Sequence, residues 1–272
     1  MILAKKTGVI WQDEQYENLL LKPMGKKTCL WINILAVAVS SLSLTTSPQA
    51  LALPSLENIQ KNQAPVPSNG SRPENRQQAL GYYRQGVTFQ QQGQLEAAIA
   101  QYQEAIRLNP NMAEAYLNMG AALAAIGKQP EAIAAYREAI RANPNLAEAH
   151  HNLGNAFAQQ GKLTEATQEY TQAIRINPNY AKAHYNLGNV LARLGERQQA
   201  MAQWREAIRV NPEFAEAYAN LGVTLTRQGQ RREAVEILKK ARDLFKAQGK
   251  SDQAEQIDRI LQRLERGTTV IT

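Results

Sequence analysis

The chain has 272 residues, only 6% of them aromatic, and it is rich in alanine and glutamine, which points to helices packed through small side chains rather than one thick core. Its net charge of +7 would admit a nucleic acid, but Lys and Arg are interleaved with Glu, Asp and Gln, as in Arg231-Arg232-Glu233 and Glu265-Arg266. That pattern is a solvated charged surface and argues against nucleic acid as a partner, while the single cysteine, Cys29, excludes an internal disulfide framework and a cysteine metal cluster.

Residues 1–52 form an N-terminal extension with an export signal. Asp13, Glu14 and Glu17 suit the leading part of a signal poorly, whereas Met24 is followed at once by Gly25-Lys26-Lys27, so the sequence predicts translation from Met24. An apolar run over residues 30–44 precedes the small-x-small site Ala50-Leu51-Ala52, which places the mature start at Leu53. The run is short for a membrane span, so a cleaved signal is expected and residues 30–44 as a permanent anchor are the alternative. Cys29 lies before the run, not after it, which argues against a lipoprotein. The expected destination is a periplasm or lumen, with the thylakoid lumen an option, and the membrane is reached only if the segment stays uncleaved. Residues 53–78, with Pro54, Pro65, Pro67, Gly70 and Pro73, are expected to be a flexible linker. Asn69-Gly70-Ser71 matches a glycosylation acceptor, which matters only in a eukaryotic secretory pathway.

Beyond residue 78 the chain repeats. Asn-Pro recurs at 109–110, 143–144, 177–178 and 211–212, a period of 34 residues, giving repeats at 79–112, 113–146, 147–180, 181–214 and 215–248. The eighth position is Gly86, Gly120, Gly154, Gly188 and Gly222, in mid-helix, where glycine costs about 1 kcal/mol relative to alanine. The repeated cost implies close helix approach, expected against Ala98, Ala132, Ala166, Ala200 and Ala234 at the twentieth position. A second series, Gly93, Gly127, Gly161, Gly195 and Gly229, falls where the first helix should end in a left-handed residue. Pro130 suits the first turn of a second helix. Tyr102, Tyr136, Tyr170, Trp204 and Leu238, each three residues before an alanine, are expected to interdigitate with the next repeat.

These positions resemble the tetratricopeptide repeat family; in the third repeat they are His150, Leu153, Gly154, Phe157, Ala166, Tyr170, Ala173 and Pro178. The resemblance covers residues 79–248 and implies an all-α, right-handed superhelical solenoid of helix-turn-helix repeats. Repeat one departs in Gln85, where the others carry Met or Leu. Repeat five departs in Lys246, where the others carry Pro, so a capping helix is expected over about 251–266, with Ile257, Ile260, Leu261 and Leu264 on one face, followed by a tail within 249–272.

In that family the second, fifth, sixth, ninth, twelfth and thirteenth positions of each repeat tend to line a concave groove. Here the sixth position reads Arg84, Asn118, Asn152, Asn186 and Asn220, a ladder of amides able to donate to and accept from the main chain of an extended peptide. It is similar to the asparagine ladder in the repeat arm of O-linked N-acetylglucosamine transferases, including the Asn-Leu-Gly-Asn phrase at 152–155 and 186–189. The transferase catalytic domain is absent, so the resemblance implies peptide holding only. Asn155 and Asn189 widen the strip, Tyr83, His151 and Tyr185 add rings, and Arg193 and Arg227 make the C-terminal half modestly positive. The alternative is that these asparagines serve neighbouring groups of the protein itself. The family's clamp for carboxylate termini is missing, since Glu114, Glu148 and Glu216 occupy its second position and Lys182 stands alone.

His150 and His184 occupy an aromatic packing position, and no metal or other cofactor is expected. Arg107, Arg141, Arg175 and Arg209 complement helix C-termini. No phosphate loop, H-E-x-x-H, G-x-S-x-G or G-x-G-x-x-G occurs, so the expectation is a non-catalytic scaffold that binds protein or peptide partners. The alternatives are an assembly factor or structural subunit of an exported or membrane-associated complex, a regulatory arm for a separate enzyme, and self-association through the last helix.

Overall fold

The computed structural model describes residues 72–266, so the export signal, Cys29, the glycosylation pattern and the final residues lie outside the described part. Eleven α-helices and no strands occur among the described residues. They are α1 (Pro73–Gln91), α2 (Leu95–Leu108), α3 (Ala113–Ala125), α4 (Gln129–Ala142), α5 (Ala147–Gln159) and α6 (Leu163–Ile176). There follow α7 (Ala181–Arg193), α8 (Arg197–Val210), α9 (Ala215–Arg227), α10 (Arg231–Ala247) and α11 (Ser251–Arg266). Each odd helix packs on the next even one to make a repeat, and each even helix packs on the following odd one, which builds an all-α solenoid capped by α11. Among the described residues no helix is long and apolar enough to cross a membrane.

Within each repeat the turn is made by one device. Gly93, Gly127, Gly161, Gly195 and Gly229 have φ between 74° and 85°, and the residue after each donates its N–H back across the last turn, as from Lys128 to the Leu123 carbonyl at 2.9 Å. Nothing lies within 4 Å of a Cβ built on Gly195, so Gly195→Ala would strain only the backbone. It is expected to cost about 1 kcal/mol by chemical denaturation; an unchanged midpoint would mean the turn relaxes.

Between repeats the chain leaves the helix at an asparagine. Asn143, Asn177 and Asn211 are extended, with φ from −142° to −130°, as the following proline requires. Their side chains add what proline alone does not. Each Oδ1 accepts the N–H two residues on, at 3.1 Å, and so closes the loop. Repeat five lacks this stop. There α10 runs on through Lys246 until Gly249, with φ 69°, turns the chain into α11.

The contact under the mid-helix glycines is made chiefly by the large residue at the twenty-fourth position of the same repeat. The expected alanine at the twentieth position is also close in repeat four, where the Ala200 carbonyl oxygen would stand 3.1 Å from a Cβ on Gly188. A Cβ on Gly86 would stand 2.6 Å from Tyr102 Cε1, on Gly154 2.8 Å from Tyr170 Cε1, and on Gly188 2.5 Å from Trp204 Nε1. The rings therefore pack on a bare stretch of helix within their own repeat, and Tyr102 also faces Asn118 of the next. The alanines at the twentieth position are fully buried and bring the helices close enough for this.

The two ends are finished differently. Gln85, at a position filled by the buried Met119, Leu153, Leu187 and Leu221 in later repeats, is exposed, with no described helix packed ahead of α1. At the other end α11 buries Ala254, Ile257, Ile260 and Leu261. Lys250 Nζ bonds Glu216 at 2.6 Å, and Gln248 Nε2 donates to the Glu213 carbonyl at 3.0 Å. The helix α1 begins at Pro73, so residues 73–78 are helical rather than part of the linker. Proline at the first turn loses nothing there, and the extra turns are mostly exposed, which is why no apolar period announced them.

Candidate functional site

The sixth-position asparagines on α3, α5, α7 and α9 reach toward the preceding repeat, and most of them bond to it. Asn118 Nδ2 donates to Tyr83 Oη at 3.0 Å. Asn186 Nδ2 donates to Asn155 Oδ1 at 2.8 Å and to His151 Nε2 at 3.0 Å. Asn220, 4% exposed, donates to Asn189 Oδ1 at 2.9 Å, with Tyr185 Oη at 3.4 Å. The fifth and ninth positions of one repeat are thus the sockets for the sixth of the next.

Those sockets are tied in turn to the buried rings. Tyr170 Oη donates to Asn155 Oδ1 at 2.7 Å, and Trp204 Nε1 donates to Asn189 Oδ1 at 3.0 Å. In repeat one Tyr102 Oη donates to Gln90 Oε1 at 2.6 Å, beside a recess lined by Val87, Gln90, Gln91, Tyr102 and Asn118. Burial raises these phenols, Tyr102 to about 12 and Tyr170 likewise upward, so they remain neutral donors at any ordinary pH. The participation of Tyr170 and Trp204 escaped the sequence reading. The available signal was that asparagine appears at the ninth position only in repeats three and four, whose ring residues reach it.

His151, 6% exposed, lies between Tyr170 and Tyr180, with ring centroids 5.8 and 4.9 Å away. Since Asn186 donates to Nε2, the imidazole is neutral with its proton on Nδ1, which faces Tyr180 Oη at 3.2 Å. Tyr185 is likewise buried, against Phe214 at 4.7 Å. Of the candidate ring contacts only Tyr83 is half-buried; His151 and Tyr185 are covered. Arg193 and Arg227 are exposed at the ends of α7 and α9, and Arg193 Nη1 donates to the Ala158 carbonyl at 3.2 Å.

Asn152 stands apart from the other ladder members. The socket positions of repeat two hold Leu117 and Ala121, which offer no hydrogen bond, and its side chain interacts instead with the adjoining His151 ring. Asn186→Ala is accordingly expected to lower stability by about 1–2 kcal/mol, because it strips the buried His151 Nε2 and the part-buried Asn155 Oδ1 of a donor, whereas Asn152→Ala should change it little. Equal thermal shifts in the two variants would contradict this assignment.

His150 bridges Glu169 at 2.7 Å and the Pro144 carbonyl at 3.3 Å, and His184 bridges Gln203 at 2.8 Å and the Pro178 carbonyl at 3.0 Å. Both clamp an inter-repeat loop to the helix pair that follows it. Among the described residues no group of three His, Cys, Asp or Glu is arranged to hold a metal.

A family model described as TPR repeat matches residues 86–127, 122–161, 154–195 and 192–229, and one described as tetratricopeptide repeat matches 214–247. The chain belongs to the tetratricopeptide repeat family. Solved structures agree with the fold of this tetratricopeptide repeat protein. MamA superposes with a TM-score of 0.56 at 30% identity, over 61% of this chain and 96% of MamA. YrrB, described as a TPR protein with an unusual peptide-binding site, gives 0.54 at 26% identity over 67% of this chain and 94% of YrrB. PilF of Pseudomonas aeruginosa, at 20% identity and a TM-score of 0.56 over 71% and 95% of the two chains, shares the fold. Among curated proteins none matches the chain.

Proposed function

We propose that this tetratricopeptide protein is an exported, non-catalytic scaffold that holds extended segments of partner proteins along the face formed by α1, α3, α5, α7 and α9. The observation that carries this reading is the strip of half-exposed asparagines, Asn118, Asn152 and Asn186, set one repeat apart on that face, in which Asn152 lacks the socket that engages the other two. Amides at a regular spacing suit a ligand that is itself a regular chain of donors and acceptors. The peptide-binding site named for YrrB supports the same use of the fold. Export rests on residues 24–52, and the expected compartment is a periplasm or lumen.

Crosslinking the protein in its own cells, followed by mass spectrometry, tests both halves. The expected result is a chain beginning at Leu53, joined to a partner through residues beside the strip such as Lys182. Crosslinks confined to the even helices or to α11 would point to an assembly subunit instead, and peptides from residues 30–44 in the mature protein would point to an anchor.

A further inference from the structure

In four of the five repeats the twenty-fourth position is internally settled. Tyr102, Tyr170 and Trp204 each donate to an amide oxygen on the first helix of their own repeat, from Gln90, Asn155 and Asn189, and Leu238 has nothing to donate. Repeat two is the exception. Tyr136 is 4% exposed, and Ala121 and Ala124 stand at the two positions that supply the amide elsewhere. Its hydroxyl forms no hydrogen bond among the described residues. The hydroxyl is not sealed in, since among the described residues Gln101 Oε1 is the one fully buried side-chain oxygen or nitrogen left without a partner. It therefore reaches solvent. The same substitution, alanine for asparagine at the ninth position, is what deprives Asn152 of its socket. Two polar groups of adjoining repeats are thus left facing one small-residue gap.

Resting on the groove reading above, we propose that the junction of repeats two and three is where the groove grips its partner, with the Tyr136 hydroxyl and the Asn152 amide binding a peptide group of an extended internal segment over the floor made by Ala121 and Ala124. A peptide group brings one donor and one acceptor, which an amide and a hydroxyl match together. The alanines allow a main chain to approach closely. Glu148 is near enough to act on the Tyr136 phenol, which disfavours a negatively charged chain terminus and favours an internal segment. Elsewhere along the strip the amide donors are already engaged within the protein.

The repeats themselves supply the decisive variant. Ala121→Asn gives repeat two the pattern of repeats three and four, so the new side chain should take up both Tyr136 and Asn152. The melting temperature should rise by roughly 2–4 °C, as the net gain from these two hydrogen bonds implies. Peptides selected from a random 12-residue display library against the full chain should then lose at least about tenfold in affinity, read by fluorescence anisotropy. Tyr136→Phe should weaken the same peptides with no change in melting, whereas Tyr170→Phe should lower the melting temperature. Selected peptides that bind Ala121→Asn and Tyr136→Phe as they bind the parent, yet are lost in Arg193→Ala, would overturn this inference and leave the groove reading standing. A fall in melting temperature on Ala121→Asn would overturn the inference through its structural premise. Failure to select any peptide would overturn both.

Discussion

Gly188→Ala is expected to destabilise the protein by about 2 kcal/mol, although alanine is the better helix former by about 1 kcal/mol. A Cβ at this position would stand 2.5 Å from Trp204 Nε1, 2.6 Å from Cδ1 and 3.1 Å from the Ala200 carbonyl oxygen. The indole is 1% exposed, and its N–H is held by Asn189 at 3.0 Å. It cannot recede without giving up that bond, and the Ala200 carbonyl belongs to the backbone of α8. Overpacking of this kind costs about 1–3 kcal/mol, and the lost hydrogen bond adds about 1 kcal/mol, which together outweigh the gain in helix propensity. Trp204→Ala, which removes the ring that the new Cβ would strike, should absorb most of the clash. The double variant Gly188→Ala/Trp204→Ala should therefore lose less than the sum of the two single variants in chemical denaturation. Strict additivity would place the ring somewhere other than on Gly188.

Acid should unfold the protein earlier than its surface ion pairs alone would dictate, and His151 is the reason. Burial holds its pKa down from 6.5 to about 4; the Asn152 side chain opposes the shift, and the positive Lys182 adds to it. Protonation would also turn Nε2 from an acceptor of the Asn186 amide into a donor facing it. In the unfolded chain the ring takes up its proton near pH 6.5, so between there and about pH 4 the unfolded state holds more protons and stability falls with pH. The contribution is complete above about pH 6.5 and absent below about pH 4, and across that window it amounts to roughly 3 kcal/mol. Tyr185 and Tyr83 hold the same position in repeats four and one, with the hydroxyl set to accept from Asn220 and Asn118. His151→Tyr should thus keep the stability measured at pH 7 and flatten the acid limb of the melting profile. A variant with the acid limb of the parent would assign that limb to other groups.

The asparagine ladder changes character once the fold is known. From the sequence, four amides at one register position are either a strip for a ligand or groups serving the protein itself, and both readings fit the same letters. The structure divides them. Asn186 and Asn220 are engaged by Asn155 and Asn189, and Asn118 by Tyr83, while the register positions that would serve Asn152 hold Leu117 and Ala121. The sixth position of one repeat meets the fifth and ninth of the previous one, so sequence separations of 35 and 31 residues matter as much as the period of 34. A single-repeat consensus hides such pairs.

By itself the sequence determined what is local and periodic. The glycines at the left-handed turns, the asparagine-proline stops and the apolar face of the last helix set the helix-turn-helix unit, its repeat and its cap, because each acts through the backbone conformation of its own neighbourhood. The ring over each mid-helix glycine, the burial of His151 and the gap at Ala121 were decided only by tertiary structure. They depend on which side chains from separate helices arrive at one point, and hydrogen bonding and close packing there turn on the last ångström of approach.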